Sequence, residues 1–185
     1  MNTHADQWTF VEGWLPVARP VVSPNFNARP PGVAVALLVI HNISLPPGCF
    51  GGEHIEALFT NCLDPSADPY FETIHQLEVS AHFLIRRGGE LVQFVSTDER
   101  AWHAGISQWC GRANCNDFSI GIELEGADDA AYESAQYVML SQLIIALRRA
   151  YPRITGDAIV GHSDIAPGRK TDPGPGFDWT RVRRS

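Results

Sequence analysis

Two of the chain's seven histidines stand where a metal could be held. His41 closes the apolar run Val33–Ile40, and His162 follows the shorter run Ala158-Ile159-Val160-Gly161. Sites in α/β proteins gather beyond the carboxyl ends of strands, where loops leave the sheet. Two neutral imidazoles and one carboxylate there would make a catalytic zinc site with its fourth position open. The residues leave two carboxylates for the third ligand. Asp164 is two residues from His162. Asp172 precedes Pro173-Gly174, a turn able to bring its loop back over the sheet, and this favours Asp172 slightly. A lone strand-end histidine is more often a hydrogen-bonded core or surface residue. The reading therefore rests on several residues meeting, since no His-Glu-x-x-His motif concentrates them.

Glu123 lies on the polar face of the alternating run Ser119–Glu125, beside Gly121, whose missing side chain permits close approach. A carboxylate near a metal can take a proton from water. Glu125, on the same face, reads as an exposed polar residue. Lys170 could set a positive charge against a developing oxyanion. His103, in Ala101-Trp102-His103-Ala104-Gly105, reads as part of a loop that lines a cleft. Trp102 and Trp109 could form one wall for stacking a sugar, and His82 reads equally well as a core histidine.

These side chains need a sheet to hold them. Ala34–Ile40 is apolar without alternation, as in a central strand buried on both faces, and should end at His41. Ser80–Arg86 and Glu90–Ser96 flank Gly88-Gly89 and predict a hairpin. Ser119–Glu125 and Ala158–Val160 predict two further strands. Ser134–Ala150 predicts a helix with a stripe of Tyr137, Leu140, Ile144 and Leu147, basic Arg148 and Arg149 at its end, and Pro152 as a stop. Shorter helices are expected over Glu53–Phe59 and Tyr70–Leu77, and loops over Thr97–Asp117 and Ser163–Trp179. Residues 1–32, with Pro16, Pro20, Pro24, Pro30 and Pro31, predict an extended arm packed on the rest. The fold class is α/β of the α+β type: one domain over 1–185, a central mixed sheet flanked by helices.

A chain of 185 residues can bury a sizeable core without disulfides. With 19% charged residues and a net charge of -7 it is no candidate for a disordered chain or a nucleic-acid binder. Met1–Trp8 lacks a basic and then apolar leader, and no apolar run approaches a membrane span. A cytoplasmic location, no membrane association and a monomer are expected. Cys49, Cys62, Cys110 and Cys115 form no Cys-x-x-Cys pair and are expected to be free thiols.

Several blocks resemble the AmpD family of 1,6-anhydro-N-acetylmuramoyl-L-alanine amidases. They are Val39-Ile40-His41-Asn42-Ile43-Ser44-Leu45-Pro46-Pro47-Gly48, Ser80-Ala81-His82-Phe83, Arg100-Ala101-Trp102-His103-Ala104-Gly105, Cys115–Gly126 and Gly161–Gly174. The resemblance runs from Glu12 to Trp179. It implies the fold shared with peptidoglycan recognition proteins and phage lysozyme-type amidases. It implies Zn2+ on His41, His162 and Asp172, with Asp164 outside the ligand set, and Glu123 and Lys170 as catalytic residues. The expected substrate-binding residues are Asn42, Tyr70, Trp102 and His103. The implied reaction cleaves the amide between the lactyl group of anhydro-muramic acid and L-alanine of a small muropeptide, in cell-wall recycling, with an influence on β-lactamase induction. Two positions depart from the expected pattern: Glu78 and Asn114 stand where such enzymes often carry arginines suited to substrate carboxylates.

Overall fold

The computed structural model describes residues 6–182, so the first five residues of the expected arm lie outside it. In chain order the strands are β1 (Arg19–Pro20), β2 (Phe26–Ala28), β3 (Leu37–Ile43), β4 (Phe83–Ile85), β5 (Leu91–Gln93), β6 (Glu99–Ala101), β7 (Gln108–Trp109), β8 (Arg112–Ala113), β9 (Ser119–Glu125) and β10 (Ile159–Gly161). The helices are α1 (His54–Phe59), α2 (Pro69–Ile74), α3 (Ser134–Ala150) and α4 (His162–Ile165). Six strands form the main sheet in the order β1-β5-β4-β9-β3-β10. Only β4 and β5 pair antiparallel in it; the other neighbours are parallel. The sheet is mixed and flanked by helices, as expected.

Strand β3 is apolar on both faces because it lies inside the sheet. Leu38 and Ile40 join Ile120, Ile122 and Leu124 of β9 against Leu140, Leu143, Ile144 and Leu147 of α3. Leu37 and Val39 point the other way, toward Ala104, Phe118 and Val160. On that second face a separate cluster forms farther along, where Leu84 and Phe94 pack with Ile55, Phe59 and Phe71 from α1 and α2. His41 and Glu123 stand on this second face.

Several expectations need correction. β3 does not end at His41 but continues through Asn42 and Ile43, which pair with Leu124 and Glu125. His41 is therefore held inside a strand, a firmer mount than a loop. The hairpin strands shorten to three residues each around the Gly88-Gly89 turn. The segment 97–117 holds β6, β7 and β8, and the segment after Gly161 opens with α4. These pieces are too short for periodicity to reveal; β6 exists because the arm's β2 pairs with it. The arm also supplies β1, parallel to β5 at the sheet edge.

Candidate metal centre and active site

In the β3–β9 pair, His41 sits opposite Glu123, so the two side chains leave the sheet on the same face. His162 begins α4 directly after β10, and β10 pairs with β3. Asp172 arrives on the following loop, whose carbonyl oxygen accepts from the Ser163 N–H. The Nδ1 atoms of His41 and His162 lie 3.0 Å apart, and Asp172 Oδ2 is 3.0 Å from the first and 3.1 Å from the second. Both imidazoles are buried.

Three polar atoms at such spacing must share protons or share a cation. His162 Nε2 lies 3.1 Å from the Ala104 carbonyl oxygen. A bare nitrogen there would set lone pair against lone pair, so Nε2 carries a hydrogen and Nδ1 is the atom turned toward Asp172 and His41. Burial lowers the His41 pKa to about 4, more than the hydrogen bond with Asp172 raises it, so this ring is neutral at pH 7. Burial alone would raise Asp172, but its hydrogen bonds with His162 and His41 hold it below the usual carboxylate range. Two imidazole nitrogens and one carboxylate oxygen, spaced near the edge length of a tetrahedron with ~2.0–2.2 Å bonds, suit a zinc ion. They are the one set of three or more such groups among the described residues whose atoms converge.

Glu123 is buried beside this triangle, and its Oε2 has no hydrogen-bond partner among the described residues. Burial, reinforced by the charge of Asp172, pushes its carboxyl well above the usual range, and Lys170 partly offsets this. A buried carboxylate oxygen without a donor is costly unless a cation or a proton comes to it. This orphan atom fits a metal held by the neighbouring ligands.

One cleft of about 560 Å³ is lined by His41, His162, Asp172, Glu123 and Lys170, together with Asn42, Tyr70, Trp102 and His103. All nine sequence-predicted site residues are thus brought to it. Both amide hydrogens of Asn42 are engaged, with Asp128 Oδ1 at 2.8 Å and the Pro173 carbonyl at 3.1 Å. Tyr132 donates to that same carbonyl at 2.8 Å. The Asp172 loop is therefore strapped to the segment after β9.

Two expectations fail here. Glu125 is not exposed: it is buried and accepts from the backbone N–H groups of Gly51 and Arg87 and from Arg86. The polar face of β9 is covered because these partners fold over it. Trp102 and Trp109 do not form one wall, since Trp102 lines the cleft and Trp109 lines a different cavity beside β10. Asp164 caps its own helix, accepting from the Gly161 N–H at 2.7 Å. His82 is a core histidine, with Nδ1 accepting from the Gly121 N–H. Asn116 was not visible as a site residue, yet its Oδ1 accepts from the backbone N–H groups of His103 and Ala104. No spacing links a loop asparagine to a loop backbone in advance. All four cysteines are free thiols, and only Cys115 is buried. No helix among the described residues is long and apolar enough to cross a membrane.

The model of the family described as N-acetylmuramoyl-L-alanine amidase matches residues 31–175. The 1,6-anhydro-N-acetylmuramyl-L-alanine amidase AmpD of Escherichia coli (strain K12) is 59% identical over 172 residues, covering 93% of each chain. The crystal structure of an AmpD derivative superimposes with a TM-score of 0.92 at 58% identity, over 95% of this chain and 97% of that one. The amidase AmiD from E. coli, in complex with the substrate anhydro-N-acetylmuramic acid-L-Ala-D-gamma-Glu-L-Lys, superimposes with a TM-score of 0.61 at 30% identity, over 84% of this chain and 60% of that one.

Proposed function

The chain belongs to the N-acetylmuramoyl-L-alanine amidase family, in its AmpD branch, and on that premise we propose a zinc-dependent cut of 1,6-anhydro-muropeptides during peptidoglycan recycling. The bond cleaved is the amide between the lactyl group of 1,6-anhydro-N-acetylmuramic acid and L-alanine. The observation that carries this reading is the convergence of His41 Nδ1, His162 Nδ1 and Asp172 Oδ2 beside the unpartnered Glu123 Oε2. The similar AmiD complex, whose ligand is such a muropeptide, supports the substrate class. We place the reaction in the cytoplasm, on a monomeric chain. Through the muropeptide pool it would also influence β-lactamase induction.

His41, His162 and Asp172 would hold the zinc. When bound, the ion supplies Lewis acidity to the scissile carbonyl and to water, and positive charge facing Glu123. Glu123 accepts the proton of the attacking water, a role that suits its buried Oε2 beside the three ligands. As the carbon–nitrogen bond breaks, the same carboxyl passes the proton to the departing L-alanine nitrogen. The products are one carboxylic acid and one free amine. Lys170 sets its ammonium toward the oxyanion of the tetrahedral intermediate. Tyr70 and Trp102 line the cleft as surfaces for the sugar and peptide stem.

Elemental analysis tests the metal reading: about one zinc per chain is expected, lost in His41→Ala together with turnover. Zinc retained at full stoichiometry in His41→Ala would contradict it. An assay of soluble anhydro-muropeptides against intact sacculi tests the substrate class, with preference for the soluble compounds expected. Zinc-replete protein that binds muropeptide without cleaving it would mark a recognition module instead.

A further inference from the structure

The two histidines of the metal centre are backed by consecutive residues of one loop. His41 Nε2 lies 2.9 Å from His103 Nδ1, and His162 Nε2 lies 3.1 Å from the carbonyl oxygen of Ala104. The loop is fixed in turn by one side chain. Asn116 Oδ1 accepts from the N–H of His103 at 3.2 Å and from that of Ala104 at 2.8 Å. Asn116 is itself buried. On its far side, His103 Nε2 is 3.1 Å from Ser119 Oγ.

We propose that the His103-Ala104 dipeptide, clamped by Asn116, is the positioning element of the metal centre, with His103 as an orienting residue that does not bind substrate. The proposal rests on the metal reading above. A histidine ligates through one ring nitrogen, and the partner of its other nitrogen sets which one. For His41 to present a bare Nδ1, its Nε2 must carry the hydrogen and donate it to His103 Nδ1. His103 then carries its own hydrogen on Nε2 and gives it to Ser119 Oγ. For His162 the Ala104 carbonyl accepts the Nε2 hydrogen directly. That oxygen also accepts from the Arg169 guanidinium at 2.7 Å, using its second lone pair. Arg169 lies 3.4 Å from His162 Nε2, as two donors sharing one acceptor do.

The backbone shows that the imidazole of His103 has a built seat. A Cβ on Gly121 would stand 2.4 Å from His103 Cγ and 2.6 Å from its Nδ1. No other residue type fits there while the ring stays in place. The glycine that the sequence marks as a place of close approach on β9 thus makes room for a histidine under the metal ligand, and not for substrate. The ring is wedged between β9 and His41, edge-on to the latter with centroids 5.0 Å apart.

The test compares zinc affinity, measured by competition with a chromophoric chelator, in His103→Phe, His103→Gln, Asn116→Ala and Gly121→Ala. His103→Phe keeps the bulk but cannot accept from His41. It should weaken zinc roughly 10–100-fold, the usual effect of losing such a partner. His103→Gln, whose carbonyl can accept, should recover part of that loss. Asn116→Ala and Gly121→Ala touch neither ligand and should weaken zinc in the same direction. Gly121→Ala combined with His103→Phe should be little worse than either alone, because both remove one hydrogen bond. Where Gly121→Ala fails to fold, as a thermal melt would show, the two His103 variants and Asn116→Ala still decide. His103→Phe with wild-type zinc affinity and a raised KM would overturn the proposal and return His103 to the substrate. Wild-type protein that binds no zinc would instead sink the metal reading on which the proposal stands.

Discussion

His41 and Glu123 are register partners on neighbouring parallel strands, so the sheet itself sets a buried imidazole beside a carboxylate whose Oε2 has no hydrogen-bond partner among the described residues. The spacing between the proposed ligand and the proposed base does not depend on any loop. A base mounted this way can be removed without disturbing the ligands. Glu123→Gln should therefore keep its zinc and its fold and lose about 10²–10⁴-fold in kcat, the range for a positioned general base. Steady-state kinetics alongside metal analysis checks this. Near-normal kcat with zinc bound would assign the proton transfer elsewhere.

Lys170 lies in the same cleft and acts electrostatically on both Glu123 and His41. Lys170→Ala should keep zinc and lose roughly 10²–10³-fold in kcat, as removal of an oxyanion partner does. A loss confined to KM would show that the ammonium binds substrate equally in ground and transition states.

The Asp172 loop depends on Gly174. Its φ is +76°, and a Cβ there would lie 2.3 Å from Asp128 Cα and 2.4 Å from the Asp128 carbonyl oxygen. Both atoms are backbone and cannot swing aside. Gly174→Ala should cost more than about 1 kcal/mol of stability, a fall in Tm of at least roughly 2–4 °C. It should also weaken zinc, because Asp172 moves with the loop. A variant with unchanged Tm and zinc affinity would show that this strap is not what places the ligand.

Away from the site, Arg19 of β1 donates to Glu56 of α1 at 2.7 Å, and Arg86 donates to the same carboxylate at 2.6 Å. The hydrogen bond from Arg19, then that from Arg86, holds Glu56 below the usual carboxylate range against the opposing effect of burial. A carboxyl depressed in the folded state stabilises above its unfolded pKa of ~4.3 and loses that contribution as pH falls through the folded value. Glu56→Gln should lower Tm at pH 7, and the gap from wild type should close below about pH 4. A gap that persists unchanged at pH 3 would assign the effect to packing.

The long elements were legible because each carries many periods of one pattern. The α3 helix, Ser134–Ala150, and the β9 strand, Ser119–Glu125, have the bounds their stripe and alternation predict. What escaped is what depends on partners distant in sequence. β3 outruns His41 because Leu124 and Glu125 offer Asn42 and Ile43 a ladder to continue. Glu125 reads as exposed on a strand considered alone, and only the arrival of Gly51, Arg86 and Arg87 buries it. At the site, residue types and strand-end positions pointed to His41 and His162, while the choice of Asp172 over Asp164 came with the family resemblance. The clamp by Asn116 left no trace, since a side chain holding a loop's backbone has no period. Gly121 showed that something must approach β9 closely, but not that it was His103.

The proposed reaction is the cut of one particular amide with a metal's help. The most direct measurement is mass-spectrometric analysis of the products from anhydro-muramoyl-tripeptide, run with chelator, without it, and after zinc is restored. Two products are expected, 1,6-anhydro-N-acetylmuramic acid and the free tripeptide with an unblocked L-alanine, abolished by the chelator and recovered with zinc. Cleavage at any other bond, or cleavage that continues undiminished in zinc-free protein, would contradict the proposal.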